Sequence, residues 1–426
     1  MVEIEGGEVL VTNTAKFGKV CGRYGLFSPG ATRRVPMSFI AEYGADTELK
    51  LDFSLLADHF RTRTQDGRVC MDWWCPLSMI DGYGRHALGI YQGLQALSVD
   101  VRLRASWIVS DRLHVPTEWH LLAKQNQTAV PSKVAVAMTL PYDPILYDNP
   151  SQIRIALTQF ETDHMPKVHV EKINLCDHLI VTSSFQPAMM RRSGVRIPIS
   201  VLTPGVDTEF FRYVPRARDG LFKVLILGAL TGRKNPLGAI RIFQEASGGA
   251  PDWRLTIKSR RADGIGRVAQ VASQDPRISV IIRDDPPANV LTFYARHDAL
   301  LWPSKGEGCG LPPLEAMATG MEVVSSNNSG MADFVEERWA WPIPTKGMER
   351  SGDVPGGFGK DYVATYGDTG SWWVPDEKQA VTQLRRCFDA WYRGQGKGQL
   401  ASQYVRARHT LELQARSVLE VVNRYV

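Results

Sequence analysis

The stretch KGEGCGLPPLEAMATG, residues 305 to 320, holds two carboxylates, Glu307 and Glu315, eight residues apart around glycines and two prolines. The apolar run DALLW before it reads as a buried strand, and MEVVSS after it as the next one. Pro312 suits a first helical position, where its missing N–H costs nothing, and Gly320 suits a helix end. The pattern predicts a helix through PPLEAMAT, with Glu315 in its first turn and Glu307 in the loop at the strand's carboxyl end. Gly308 and Gly310 let the backbone turn sharply and present consecutive N–H groups beside a helix N-terminus, a site for phosphate. A carboxylate there repels phosphate but accepts hydrogen bonds from flanking hydroxyls. Two of them suit a ligand with hydroxyls at both ends of a diphosphate, the layout of a nucleotide sugar. The pattern alone is equally open to a solvated Glu307 and a Glu315 that only complements the helix dipole.

The elements that must position these groups fall into two series. From residue 68, RVCMDW, VDVRLRASWIV, KVAVAMTL, IRIALTQF, HLIVTS and ISVLTPG read as strands, with helices in YGRHALGIYQGLQAL and around VHVEKINLCD. After the charged stretch FFRYVPRARDG (210 to 220), a plausible hinge, FKVLILG, WRLTIKS, ISVIIRD and ALLWPS read as strands alternating with helical patterns. Continuous apolar strands with helices between them indicate parallel sheets covered on both faces. Two doubly wound domains make a cleft between the carboxyl ends of their strands, where ligands bind. The domains are expected over 63–213 and 214–401, with a C-terminal helix over about 402–426 packing back across the first. Residues 1–62 read as an extension of short strands around Gly and Pro turns, followed by a brief helix in MSFIAEYGA. The stretch 346 to 373, rich in Gly and aromatics, reads as a long irregular loop, of the kind that is functional or mobile. Asp285 before Pro286 reads as a helix N-cap and not as a metal ligand.

Four stretches carry a family resemblance. PSKGEGCGLPPLEAMATGMEVVSS resembles the signature of retaining glycosyltransferases of the GT-B fold, the large family four. DGYGRHALGIYQGLQAL resembles that family's first Gly-rich loop and helix. FETDHMPKVHVEKINLCDHLIVTSSFQPAMMRRSGV and LGALTGRKNPLGAIRIFQEA resemble the middle of the first domain and the start of the second, in the family's order. The similarity spans about residues 66 to 340 and implies an α/β fold of two Rossmann-like domains facing a central cleft, with a small extra N-terminal segment. It implies that Glu307 contacts the donor sugar, that Glu315 takes the ribose hydroxyls, and that the backbone of Gly308, Cys309, Gly310 and Leu311 meets the diphosphate. Arg233 and Lys234 match the basic pair that neutralises the leaving diphosphate, charge that prearranged cations stabilise most in the transition state. Gly82 and Gly84 match the loop that closes from the opposite domain. Glu161 falls where a polar residue approaches the reacting sugar, with Asp163 and His164 as neighbouring alternatives. Arg283 ends a strand near the expected base, though a solvent-facing role suits it equally. Two positions depart from the pattern: Ala229 stands where many relatives carry Arg, and Glu322 where Pro is common.

Composition bounds the rest. At 426 residues the chain fits two ordinary domains. The acidic start MVEIEGGEVLV is unlike a signal peptide, no apolar run approaches a membrane span, and six scattered cysteines suit reduced thiols, so a cytoplasmic protein is expected. The basic doublets in MMRRSGVR and KSRRADGIGR read as solvated faces. The net charge of +5 favours an anionic ligand. The expectation is a metal-independent, retaining, hexosyltransferase-type enzyme without a cofactor, using a nucleotide diphosphate sugar as co-substrate. The acceptor class stays open among glycan, lipid, protein and modified nucleic acid, the last two in a viral-type enzyme; a nucleotide-sugar-binding protein without catalysis is the alternative class. A pyridoxal-dependent phosphorylase or an epimerase lacks its acid–base set here. Residues 1–62 are expected to serve acceptor recruitment or assembly.

Overall fold

The structure, a computed structural model, describes residues 64–426 except 65–66, 80–81, 107–114, 127–130, 139–151, 217, 261–264 and 355–358, together with five short strands before them. In the N-terminal segment β1 (Glu8–Asn13) pairs antiparallel with β4 (Thr32–Pro36) and β5 (Leu49–Asp52), and β2 (Lys19–Val20) with β3 (Leu26–Phe27). The short strands expected there are present; the brief helix expected in MSFIAEYGA lies outside the described residues.

The first large sheet contains β6 (Cys70–Cys75), β7 (Asp100–Ala105), β8 (Val134–Met138), β9 (Ile153–Leu157), β10 (His178–Val181) and β11 (Ile199–Val201). They lie parallel in the order β11-β10-β9-β8-β6-β7. Helices α1 (Gly82–Ala96), α2 (Thr117–Asn126), α3 (Lys167–Ile173) and α4 (Gln186–Ser193) cover it. The unbroken apolar run of β8, VAVAM, is buried on both faces, as a parallel sheet with helices on each side requires.

The second sheet contains β12 (Phe222–Leu227), β13 (Trp253–Ser259), β14 (Ile278–Ile282), β15 (Ala299–Trp302), β16 (Glu322–Ser326) and β17 (Trp341–Ile343), also parallel, in the order β14-β13-β12-β15-β16-β17. Counted from β12 this is the doubly wound order 3-2-1-4-5-6, whose strand order reverses between β12 and β15. Ligands bind outside the carboxyl ends of the strands at such a reversal, here the loops that begin at Gly228 and Pro303. Helices α5 (Pro236–Ser247), α6 (Ile265–Ala272), α7 (Pro287–Arg296) and α8 (Leu311–Ala318) connect the strands.

Two expectations are corrected. The stretch 346–373 is not an irregular loop: β18 (Thr345–Arg350) and β19 (Ser371–Pro375) form an antiparallel ribbon, with α9 (Gly359–Tyr366) between them. Its glycine-rich composition hid the ribbon, in which Trp372 is buried. The expected helix over 402–426 is two helices. Following α10 (Glu377–Arg393), α11 (Gly398–Arg408) packs Ala401 and Val405 into the second domain's core, and α12 (Leu411–Val422) packs Ala415, Val418, Val421 and Val422 into the first's. The break falls at His409–Thr410, where the returning chain runs beside the outgoing one and Val206 N–H donates to His409 O at 2.9 Å. The stretch 210–220 is fastened to the second domain, because the Arg216 guanidinium donates to the carbonyls of His297, Thr319 and Tyr294. Among the described residues no helix is long and apolar enough to cross a membrane.

Candidate active site

The loop after β15 is built to lie against the first domain. A side chain at Gly306 would meet Glu161 O at 2.2 Å, and one at Gly308 would meet the Gln159 side chain at the same distance. Only glycine permits that approach, and Ser183 Oγ then donates to Gly308 O at 2.7 Å from the first domain. Gly310, at φ +73°, turns the chain into α8. The helix begins at Leu311, one residue earlier than the pattern predicts, so Pro312 is its second residue and Glu315 lies just past the first turn. Gly320, at φ +76°, follows its end as expected.

Glu307 is buried at the centre of this arrangement. Lys234 Nζ lies 2.5 Å from its Oε1, which also accepts from Ser304 Oγ at 2.7 Å, and Arg233 Nη1 lies 3.0 Å from its Oε2. Its own N–H donates to Ser329 Oγ at 2.9 Å. Arg233 and Lys234 belong to a short 3-10 turn, Gly232–Lys234, after β12, so the two sides of the strand-order reversal meet in this cluster. Burial raises the carboxyl's affinity for a proton, but Lys234, then Arg233, outweigh it and hold Glu307 at about 2. The side chain is therefore a fixed anion at neutral pH: it accepts hydrogen bonds or balances positive charge, and it has no proton to donate. Arg233 Nη2 also reaches Glu161 Oε1 at 3.4 Å, joining the first domain to the cluster. Cys309 is a buried thiol pushed up to about 12 by burial, which leaves it protonated and unreactive.

A cavity of about 290 Å³ opens beside the cluster, between the carboxyl ends of the two sheets. Glu307, Glu161, Arg233, Lys234, Gly82, Gly308, Cys309, Gly310 and Leu311 line it, so most residues singled out in the sequence come together there. Three do not. Gly84 is inside α1, packed so that a side chain would meet Ser78 O at 2.2 Å. The Arg283 side chain is 58% exposed and paired with Asp285. Glu315 stands behind the wall, bonded by Tyr294 Oη at 2.6 Å and by Arg85 Nη2 at 2.9 Å. Asp163 and His164 serve other ends. Asp163 Oδ1 accepts the Ser371 N–H of the ribbon at 2.7 Å, and His164 Nδ1 lies 3.3 Å from Ser193 Oγ.

Sequence reasoning missed Arg85, Lys258 and Trp302, all lining the cavity. Arg85 was legible as the residue after Gly84 in the Gly-rich loop. Lys258, read as part of a solvated face, is buried and reaches Asp285 at 3.1 Å. Asp285 is accordingly not an N-cap; α7 begins one residue beyond Pro286, and the carboxylate serves Lys258, Arg283 and Asn289 instead. Trp302 lies under Lys234 Nζ, 4.6 Å from its ring centre. The ribbon and the helix between its strands reach both domains. Trp373 N–H donates to Lys305 O at 2.9 Å, and Tyr362 Oη shares a 2.8 Å hydrogen bond with His169 of the first domain. Among the described residues no group of three or more His, Cys, Asp or Glu side chains converges as metal ligands do.

Comparison with known proteins gives this geometry a context. Residues 207–340 match the model of the family Glycosyl transferases group 1. A D-inositol 3-phosphate glycosyltransferase of Mycobacteroides abscessus is 27% identical over 269 residues, which cover 59% of this chain and 55% of that protein. The enzyme of the same name from Acidothermus cellulolyticus is 30% identical over 158 residues, 33% of this chain and 35% of the relative. The chain thus spans about half, or less, of the curated relatives it matches. Among solved structures, sucrose-phosphate synthase from Thermosynechococcus elongatus superposes with a TM-score of 0.62 at 14% identity, over 84% of this chain and 99% of that one. Anabaena HepE, solved with UDP and glucose, gives 0.56 at 11% identity, over 83% and 100%. At such identities the likeness is one of fold. Residues 207–340 thus resemble the group 1 glycosyltransferases, and the chain as described has the two-domain GT-B architecture.

Proposed function

We propose that the chain transfers a sugar from a nucleotide diphosphate sugar to an acceptor hydroxyl with retention of configuration and without a divalent ion. The observation that carries this reading is the ionised Glu307, gripped by Lys234 and Arg233 at the strand-order reversal and facing a cavity that the first domain closes. A fixed carboxylate suits the hydroxyls of a donor sugar. The two cations beside it suit the charge that appears on the diphosphate as the glycosidic bond breaks. Both Glu307 oxygens are already engaged, which makes the side chain a poor nucleophile. Retention then follows a same-face course: the departing phosphate oxygen takes the acceptor's proton while Glu307 orients the sugar. The glycosyltransferase names of the matched relatives, and the UDP and glucose bound to HepE, support a nucleotide-sugar donor.

A thermal-shift screen of nucleotides and nucleotide sugars tests the donor. A ligand at about 100 times its Kd stabilises the fold by about 2.7 kcal/mol. Anomeric analysis of the product made with the stabilising donor tests retention. No shift with any nucleotide sugar, or an inverted product, refutes the reading.

A further inference from the structure

Asp163, half-buried, stands two residues beyond Glu161 and takes both main-chain groups of Ser371 in the ribbon. Its Oδ1 accepts the Ser371 N–H at 2.7 Å, and its own N–H donates to Ser371 O at 3.2 Å. Ser371 opens β19, which pairs with β18 along one edge only. Two residues further on, Trp373 N–H donates to Lys305 O at 2.9 Å. Residues two apart in a strand present their main-chain groups to the same side. Both contacts therefore lie on the edge of β19 that faces away from β18.

A strand edge is a row of donors and acceptors that fixes whatever pairs with it. This edge holds one loop from each domain, residues 161–163 from the first and 305–307 from the second. Those loops carry Glu161 and Glu307, and they touch: a side chain at Gly306 would meet Glu161 O at 2.2 Å and the Trp372 ring at 3.3 Å. Arg233 stands between the two carboxylates, 3.4 Å from Glu161 and 3.0 Å from Glu307, and its carbonyl accepts the Lys305 N–H at 2.8 Å. The ribbon is seated on the first domain at two further points. Phe185 meets Trp373 edge-on, with ring centres 5.5 Å apart, and Tyr362 Oη lies 2.8 Å from His169 Nε2.

We infer that Asp163 is a positioning residue for the transfer: through Ser371 it fixes the 161–163 loop on β19, and so sets Glu161 against Arg233 and Glu307. This rests on the reading of the site as a glycosyltransferase centre. The ring of Asp163 and Ser371 joins the two domains, so it forms only when they are together, and the spacing along β19 then sets both carboxylates at once. Neither Asp163 nor the ribbon lines the cavity. Loss of the ring therefore falls on turnover and spares donor binding.

The test uses the full chain and slow hydrolysis of UDP-glucose, UDP-N-acetylglucosamine, GDP-mannose and ADP-glucose. Wild type, D163A, D163N, E161Q and D163A/E161Q are compared, with hydrogen exchange at Ser371 as a second readout. A hydrogen bond to a charged group is worth roughly 10- to 100-fold in an equilibrium. In D163A kcat should fall by about that factor, with KM within about twofold of wild type, and exchange at Ser371 should rise. D163N, whose amide oxygen still accepts the Ser371 N–H, should recover most of both losses. D163A should add little to E161Q, since the two changes act through one side chain. If D163A does not fold, Y362F, which removes the hydroxyl bonded to His169, should show the same pattern at smaller amplitude. An unchanged kcat in D163A, or in Y362F where that replaces it, on a donor that wild type hydrolyses overturns this inference alone. Unchanged exchange at Ser371 does the same. A KM that rises as kcat falls places Asp163 in donor binding and overturns its positioning role. A wild-type chain that neither binds nor hydrolyses any of these nucleotide sugars overturns the donor reading and the part of Asp163 with it.

Discussion

Replacing Glu307 with Gln removes the charge on which the central cluster is organised, and its cost can be worked from the site. The Glu307 carboxyl falls from an ordinary 4.5 to about 2 in the folded chain. That difference corresponds to about 3 kcal/mol of stability at neutral pH. The sign follows from the direction of the change. A depressed carboxyl contributes fully above its unfolded value and loses the contribution as pH falls through the folded one. From the same two values the contribution drops to less than half of that at pH 3. Denaturant unfolding of wild type and E307Q at pH 7 and pH 3 reads this directly, and comparing the pair cancels the carboxylates they share. The gap should be about 3 kcal/mol at pH 7 and less than half that at pH 3. A gap that does not narrow, or a variant as stable as wild type at pH 7, would refute the claim that Lys234 and Arg233 hold an ionised Glu307. With a donor in hand, E307Q should lower turnover far more than donor affinity, because the amide keeps the shape of the site and loses its charge.

Lys234→Ala should cost about 2–4 kcal/mol in kcat/KM, the scale of one electrostatic donor, and activity should survive chelator in wild type; a strict magnesium or manganese requirement would contradict the metal-free reading. Gly93→Ala should destabilise the fold by about 1–3 kcal/mol despite its better helix propensity. A β-carbon there meets Leu411 O at 2.4 Å and forces α12 away from α1; a melting temperature equal to wild type would show that the contact yields easily. A chain starting at Thr64 should still bind and slowly hydrolyse the donor but lose transfer to the natural acceptor or change its oligomeric state; full activity on that acceptor would remove any recruiting role from residues 1–62.

Local patterns in the sequence were enough for the two parallel sheets and for the turn that holds Glu307. VAVAM is apolar at every position and FKVLIL at every position but Lys223, and only a sheet covered on both faces buries such runs. Glu307 and the turn around it were legible because glycines, prolines and a following helix act within a few residues of one another. The ribbon of β18 and β19 was not, since what fastens it comes from elsewhere in the chain: Asp163, His169 and the backbone of Lys305. The break at His409 depends in the same way on pairing with Val206, some two hundred residues earlier. Charge was the least legible quantity. The residue types of Lys258, Arg85 and Glu315 gave no means of telling a solvated side chain from a buried one. The fold pairs Lys258 with Asp285 and sets Arg85 against Glu315 across the cleft. A side chain's local sequence determines its reach and its helix or strand, whereas its partner and its solvent exposure are set by whichever distant segment packs against it. Those packed segments decide how an ionisable group behaves.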